Sequence, residues 1–193
     1  MKSIPLAVAA VILLSACARR VPEPAMATAP DPPAADAAAR AYLQAAGSAD
    51  LFESQAAQIA LQRSRDPGVR SLAQMLASDH SQLASQAASA AQSVGTASPS
   101  WVLPEQATLL AQLQVASPRE FDDVYRNMVV MAHLQAFNLH QGFAASGANQ
   151  LLQSYALAAA GSEQAHLIQA QSLVISPSPA VRAPSFQGPG ERG

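Results

Sequence analysis

Residues 66–95 read DPGVRSLAQMLASDHSQLASQAASAAQSVG. Asp66 followed by Pro67 is a capping side chain with proline at the first helical position, and Val94-Gly95 supplies the glycine that suits a left-handed stop. Between these marks apolar residues recur every three or four positions. At 100° per residue Val69, Ala73, Leu76, Leu83, Ala87 and Val94 fall within one narrow arc. The segment is therefore one long amphipathic helix. His80 lies inside its apolar arc with Asp79 beside it, so a proton-binding and metal-binding group occupies the side meant for the core.

The same grammar organises the rest of the middle. No segment alternates with period two in Val, Ile and aromatic residues, so strands are not expected, whereas the abundant alanine and glutamine favour helix. A first helix is expected from about Asp36 to Ser64, broken at Gly47. Ser98 to Leu103 is a connection, with Trp101 plugging it against the helices, and a short helix fills Pro104 to Gln114. The next long helix opens at Ser117-Pro118-Arg119-Glu120, a capping box with the same proline preference, and closes near Ser146-Gly147. A last one runs to about Ile175. The joints within the first pair and within the second pair are short, so each pair forms an antiparallel hairpin. A long passage joins the pairs. The fold class is thus all-α, a ferritin-like four-helix bundle of two antiparallel hairpins with a long crossover.

Helix phase then places the chemistry. In the first helix Glu53 borders the arc of Phe52, Ala56, Ile59 and Ala60; in the third long helix His133 borders the stripe of Phe121, Tyr125, Met128, Ala132, Leu139 and Phe143. In the last helix Leu151, Tyr155, Ala159, Ala170 and Leu173 define a stripe with His166 near its middle. His140 lies about 10 Å further along its helix than His133, too far to share an ion with it. Counted from their common turn, Glu53 and His80 reach the same level within about 4 Å, whereas His133 is offset by about 6 to 10 Å from Glu163 and His166. Glu163 and His166 stand three apart, a spacing that projects both from one face and that di-metal bundles use.

Glu53, His80, His133, Glu163 and His166 are accordingly the candidate metal ligands. Imidazole-rich ligation suits zinc, copper or iron better than calcium or magnesium. The plainer account, which the sequence favours, makes the histidines buried neutral rings hydrogen-bonded across the helices. A ferroxidase-like di-iron centre is disfavoured, because the helix around His80 lacks a Glu-x-x-His. There is no phosphate-cradling glycine loop and no Gly-x-Ser-x-Gly. No catalytic or organic-cofactor residues are therefore assigned.

The ends concern location. Met1-Lys2, the apolar run Ile4 to Leu14 and Leu14-Ser15-Ala16-Cys17 have the order of an export signal, and Leu-Ser-Ala-Cys resembles a lipobox, so residues 1–16 are expected to be a lipoprotein signal peptide and Cys17 its lipidation site. Cys17 is the single cysteine of the chain. By resemblance to enterobacterial sorting signals, Ala18 after it favours the outer membrane, with the protein facing the periplasm. Residues 17–35 form an Ala/Pro-rich tether, 36–175 the helical domain and 176–193 a disordered Pro, Gly and Ser tail. A formal net charge of −2 with 12% charged residues offers no basic stripe for nucleic acid. The expected partner is the membrane, through the lipid.

Tyr42, the stretch Glu53-Ser-Gln-Ala-Ala-Gln-Ile-Ala60, Asp79-His80, Phe121-Asp122 with Tyr125, and then His133 and His166 resemble the bacterial envelope family catalogued as domain of unknown function 4142, over about residues 37–175. The resemblance implies a ferritin-like helical bundle and export to the envelope; it supplies no activity. This chain carries Ala160-Gly161 where members often have Leu-Pro, and Glu163 where a leucine is usual. Gly161 is expected to keep the helix break that proline would impose. The function expected from the sequence is a lipid-anchored periplasmic helical protein with a non-catalytic structural or interaction role; the competing class is a transition-metal-binding or metal-dependent redox protein.

Overall fold

The computed structural model describes residues 37–176. The signal segment, Cys17, the tether and the tail from 177 onward lie outside the described residues. Five helices follow one another: α1 Ala37–Arg63, α2 Pro67–Ser93, α3 Pro104–Val115, α4 Phe121–Ser146 and α5 Gln150–Ser172. No strand occurs among the described residues, and none of the helices is long and apolar enough to cross a membrane.

α1 packs along α2 and α4 along α5, while α1 also meets α4 and α2 meets α5. The short α3 rests on α1 and α4. It is docked on α1 at both ends. At its start Ser48 Oγ donates to Gln106 Oε1 and accepts from Leu103 N at 2.8 Å. At its end the Arg63 guanidinium donates to the carbonyls of Leu113 at 2.6 Å, Gln114 at 2.8 Å and Ala116 at 2.5 Å, where a cation also meets the negative pole of the helix. The same guanidinium lies 4.5 Å above the Phe121 ring and so joins α1, α3 and α4.

Two apolar cores result. One gathers Phe52, Val69, Leu76, Leu113, Phe121 and Tyr125, and the other Tyr42, Leu43, Val94, Leu152 and Ala156. Buried alanines between the large side chains, such as Ala57, Ala73, Ala87 and Ala159, let the helices approach closely. Between the two cores lies a layer of buried polar side chains.

Most helix boundaries fall where the sequence places them. Asp66 caps α2 by accepting from Val69 N at 2.9 Å, and its second oxygen accepts from Ser176 N at 2.9 Å, which fastens the end of the described chain to the first turn of α2. Gly95 has φ 68°, the left-handed stop.

Five expectations need correction. α1 runs unbroken through Gly47: a Cβ there would lie 2.5 Å from Ser98 Oγ and 2.8 Å from Pro99 Cδ, so the glycine admits the α2–α3 connection against the helix rather than ending it. α4 begins at Phe121, because Ser117 Oγ donates to Glu120 Oε2 at 2.6 Å and closes a turn ahead of the helix. α5 ends at Ser172, and residues 173–176 continue without regular structure, tied at their end to Asp66. α5 also passes through Gly161 without a break. Trp101 is 60% exposed, so the connection is held by Pro99 and Leu103 against α1 instead.

Candidate metal centre

Each long helix delivers its polar group to the layer by simple phase. Asp50 and Glu53 are three apart on α1, Asp79 and His80 adjacent on α2, His133 central on α4, and Glu163 and His166 three apart on α5. The α4 core face is Phe121, Tyr125, Val129, His133, Ala136 and His140. His133 is therefore in the middle of that face and not at its border, with Met128, Ala132, Leu139 and Phe143 at the edge. On α5 the face likewise turns by about one residue: Leu152 is buried and Leu151 is 53% exposed.

The predicted offset between α4 and α5 does not exist. α4 ends at Ser146 but α5 starts only at Gln150, so the turn itself takes up residues that a count from one shared point assigns to the last helix. The ring centroids of His80, His133 and His166 stand 5.2, 5.2 and 5.3 Å apart, a nearly equilateral triangle.

Proton positions follow from the partners. His133 Nδ1 lies 2.8 Å from the Val129 carbonyl, which only accepts, so this nitrogen carries the proton and the neutral ring turns a lone pair on Nε2 inward. His166 Nε2 lies 3.0 Å from Asp79 Oδ2 and donates to it, leaving the buried Nδ1 with no partner. His80 Nδ1 lies 3.1 Å from Asp50 Oδ1, and its Nε2 faces His133 Nε2 at 3.2 Å. With Asp50 ionised, His80 donates to it and two lone pairs confront each other, an arrangement that a cation between them relieves. With Asp50 protonated, a chain of donors runs from Asp50 through His80 and His133 to the Val129 carbonyl. The centre thus has a proton-held form and an ion-held form.

Burial sets which form prevails without an ion. It raises the Asp50 carboxyl to about 8, against a smaller lowering by His166. It raises Glu53, with the charges of Glu163 and then Asp50 adding to the effect, and it raises Glu163, with Asp50 adding. Burial lowers His80 and His133 to about 3, reinforced by the neighbouring imidazoles. In the ion-free state Asp50, Glu53 and Glu163 are thus neutral acids and His80 and His133 neutral rings.

That state leaves orphans. Asp50 Oδ2, both oxygens of Glu53, both oxygens of Glu163 and His166 Nδ1 are buried with no hydrogen-bond partner. Glu53 approaches the Nδ1 atoms of His80 and His133 at 3.2 Å each, but these nitrogens are engaged by Asp50 and by the Val129 carbonyl, so these are close contacts without hydrogen bonds. One ligand atom from each of His80, His133, Glu163 and His166 lies within 4.8 Å of the others, and the same holds for Asp50, Glu53, His80 and Glu163. A tetrahedral ion with bonds near 2.1 Å separates its ligands by about 3.4 Å. The Nε2–Nε2 distance of 3.2 Å and the His133 Nε2–Glu163 Oε2 distance of 3.8 Å bracket that edge.

The environment approaches the layer from two sides. A largely apolar cavity of about 620 Å³ between α1, α3 and α4 reaches Glu53 past Phe52, Met128 and Met131. A smaller cavity of about 350 Å³ between α2 and α5 ends on Asp79 and His166. All five sequence candidates, Glu53, His80, His133, Glu163 and His166, meet in the layer. His140 does not; its Nδ1 pairs with Tyr42 Oη at 2.9 Å two turns away. Asp50 is the residue that sequence reasoning missed, although its spacing to Glu53 repeats that of Glu163 to His166.

Residues 23–173 match the model of a family described as a domain of unknown function, DUF4142. The chain belongs to this family. The crystal structure of a DUF305 fragment from Deinococcus radiodurans is similar to the DUF4142 chain with a TM-score of 0.63, covering 72% of this chain and 96% of that chain at 15% identity. At that identity the likeness concerns the helical fold alone. No curated protein matches this DUF4142 chain.

Proposed function

We propose that this DUF4142 protein is a transition-metal-binding, ferritin-like four-helix bundle that holds one ion on His80, His133, His166 and Glu163. The observation that carries the reading is the convergence of inward-facing imidazole lone pairs and an unpartnered carboxylate, all buried, at distances that an ion of zinc, copper or iron spans. A purely structural cluster would pair its buried polar atoms, since each orphan costs about 1–3 kcal/mol. Apart from the contact of His80 Nε2 with His133 Nε2 at 3.2 Å, the pairing is directed outward: Asp50, Asp79 and the Val129 carbonyl hold the far nitrogens, as partners of metal-bound histidines do.

Four protein ligands fill a tetrahedral shell and leave no open position, so the role is to hold the ion and not to activate a substrate on it. Cys17, when lipidated, tethers the domain to the outer membrane on its periplasmic face, where it captures or buffers the metal. Elemental analysis after desalting, with calorimetric titration of Zn²⁺, Cu²⁺ and Fe²⁺, tests the proposal. One ion per chain is expected in the wild type, lost in His80→Ala and in His166→Ala while helicity is kept. Absence of retained metal and of binding heat in the folded wild type would overturn it.

A further inference from the structure

We propose that the carboxylate side of the polar layer binds a second divalent cation, of the oxygen-preferring class, on Asp50, Glu53 and Glu163, with Glu163 bridging to the ion on the imidazole side. The inference rests on the reading above that the imidazole side binds a metal.

His80 and His133 divide the layer. Their Nε2 atoms face each other at 3.2 Å, whereas their Nδ1 atoms both lie 3.2 Å from Glu53. Glu53 is therefore across the rings from the lone pairs that take the first ion. Asp50 is on its side, 3.1 Å from His80 Nδ1. Glu163, like His80, belongs to both groupings of mutually close ligand atoms, the one of His80, His133, Glu163 and His166 and the one of Asp50, Glu53, His80 and Glu163. A carboxylate with two free oxygens has one for each ion.

The orphans on this side point to a ligand independently of the first site. Glu53 is 3% exposed, and neither of its oxygens receives a hydrogen bond; Asp50 Oδ2 is in the same position. Filling the imidazole site satisfies none of these atoms.

Charge is compatible with this placement. Three buried carboxyls, Asp50, Glu53 and Glu163, touch the imidazoles. With one ion held through Glu163, Asp50 and Glu53 keep their protons, and a second divalent ion takes the place of those two protons without a change of net charge.

The His80 and His133 nitrogens nearest Glu53 carry protons committed to Asp50 and to Val129, so the second ion meets oxygen alone. That donor set selects Mn²⁺ or Mg²⁺ over the softer metals. The 620 Å³ cavity that ends on Glu53 supplies the approach and room for the waters such an ion retains.

The test uses full-length protein loaded with one equivalent of Zn²⁺ and titrated with Mn²⁺, free Mn²⁺ being read by electron paramagnetic resonance. One Mn²⁺ per chain is expected. Glu53→Gln, which keeps shape and helicity, is expected to weaken Mn²⁺ at least about tenfold and to keep Zn²⁺ bound, whereas Asp50→Asn, which also removes the charged partner of His80, is expected to weaken both ions. Cu²⁺ in place of Zn²⁺ is expected to alter the bound Mn²⁺ signal through the Glu163 bridge, and Glu163→Gln to weaken both ions.

One Zn²⁺ with no Mn²⁺, or Mn²⁺ binding indifferent to Glu53→Gln, overturns the second site and leaves the first standing. Mn²⁺ binding that depends on Glu53 without any Zn²⁺ binding overturns the imidazole site and the bridge. Failure of both ions to bind overturns both.

Discussion

Removing the Asp79 carboxylate separates a metal centre from a structural knot. Asp79 is not itself one of the proposed ligands: its side chain is 43% exposed, and it accepts from Nε2 of His166 at 3.0 Å. It fixes the tautomer that turns His166 Nδ1 inward. Loss of such a partner weakens metal binding by about 10- to 100-fold, about 1.4–2.7 kcal/mol. Because Asp79 borders a cavity, water replaces it in the ion-free protein, and folding stability falls by about 1 kcal/mol or less. Asp79→Ala is therefore expected to raise the Kd for Zn²⁺ by at least about tenfold with little change in the ion-free thermal midpoint. Asp79→Asn, which keeps an acceptor but not the charge, falls between wild type and alanine. Competition titration against a chromophoric chelator measures all three. A Kd that moves less than about twofold in Asp79→Ala would refute the assignment of His166 as an oriented ligand.

The ion-free protein is expected to lose stability as pH rises from about 6.5 to 8. Asp50 has its folded pKa raised from 3.8 to about 8, and Glu53 and Glu163 are raised too, so over that window the folded state holds more protons than the unfolded one. Each acid that stays protonated then subtracts about 1.4 kcal/mol per pH unit. His80 and His133, lowered from 6.5 to about 3, act oppositely but only below 6.5. Urea midpoints against pH check this, and saturating metal is expected to abolish the decline. Gly47→Ala is expected to destabilise by about 1–2 kcal/mol, although alanine is the better helix former, because the new Cβ meets Ser98 and Pro99; a rise in thermal midpoint would show that the connection yields. Radiolabelled palmitate is expected to enter the wild type and not Cys17→Ser.

Much of this organisation is legible in the residues. Asp66-Pro67 and Val94-Gly95 mark α2 because capping is a local matter, decided by a few neighbouring groups. His80 betrays the polar layer because a single polar residue inside an apolar arc conflicts with its surroundings. Glu53, His133, Glu163 and His166 follow from phase and spacing. Asp50 is harder to see, since Gly47, Ser48 and Asp50 make that turn of α1 look outward, whereas Gly47 and Ser48 are buried by the α2–α3 connection. Trp101 misleads in the opposite sense, because a large apolar side chain in a connection has no helix phase to fix its direction. The α4–α5 registry depends on a three-residue turn, and each helical residue miscounted there moves a ligand by about 1.5 Å. Such tertiary details are not encoded locally.

The account stands on an ion between the helices, and crystals of the protein grown with Zn²⁺ test it most directly by anomalous scattering at the zinc edge. The predicted result is one strong peak about 2.0–2.3 Å from His80 Nε2, His133 Nε2, His166 Nδ1 and a Glu163 oxygen. Peaks confined to the molecular surface, with the three imidazoles still facing one another around empty density, would contradict it.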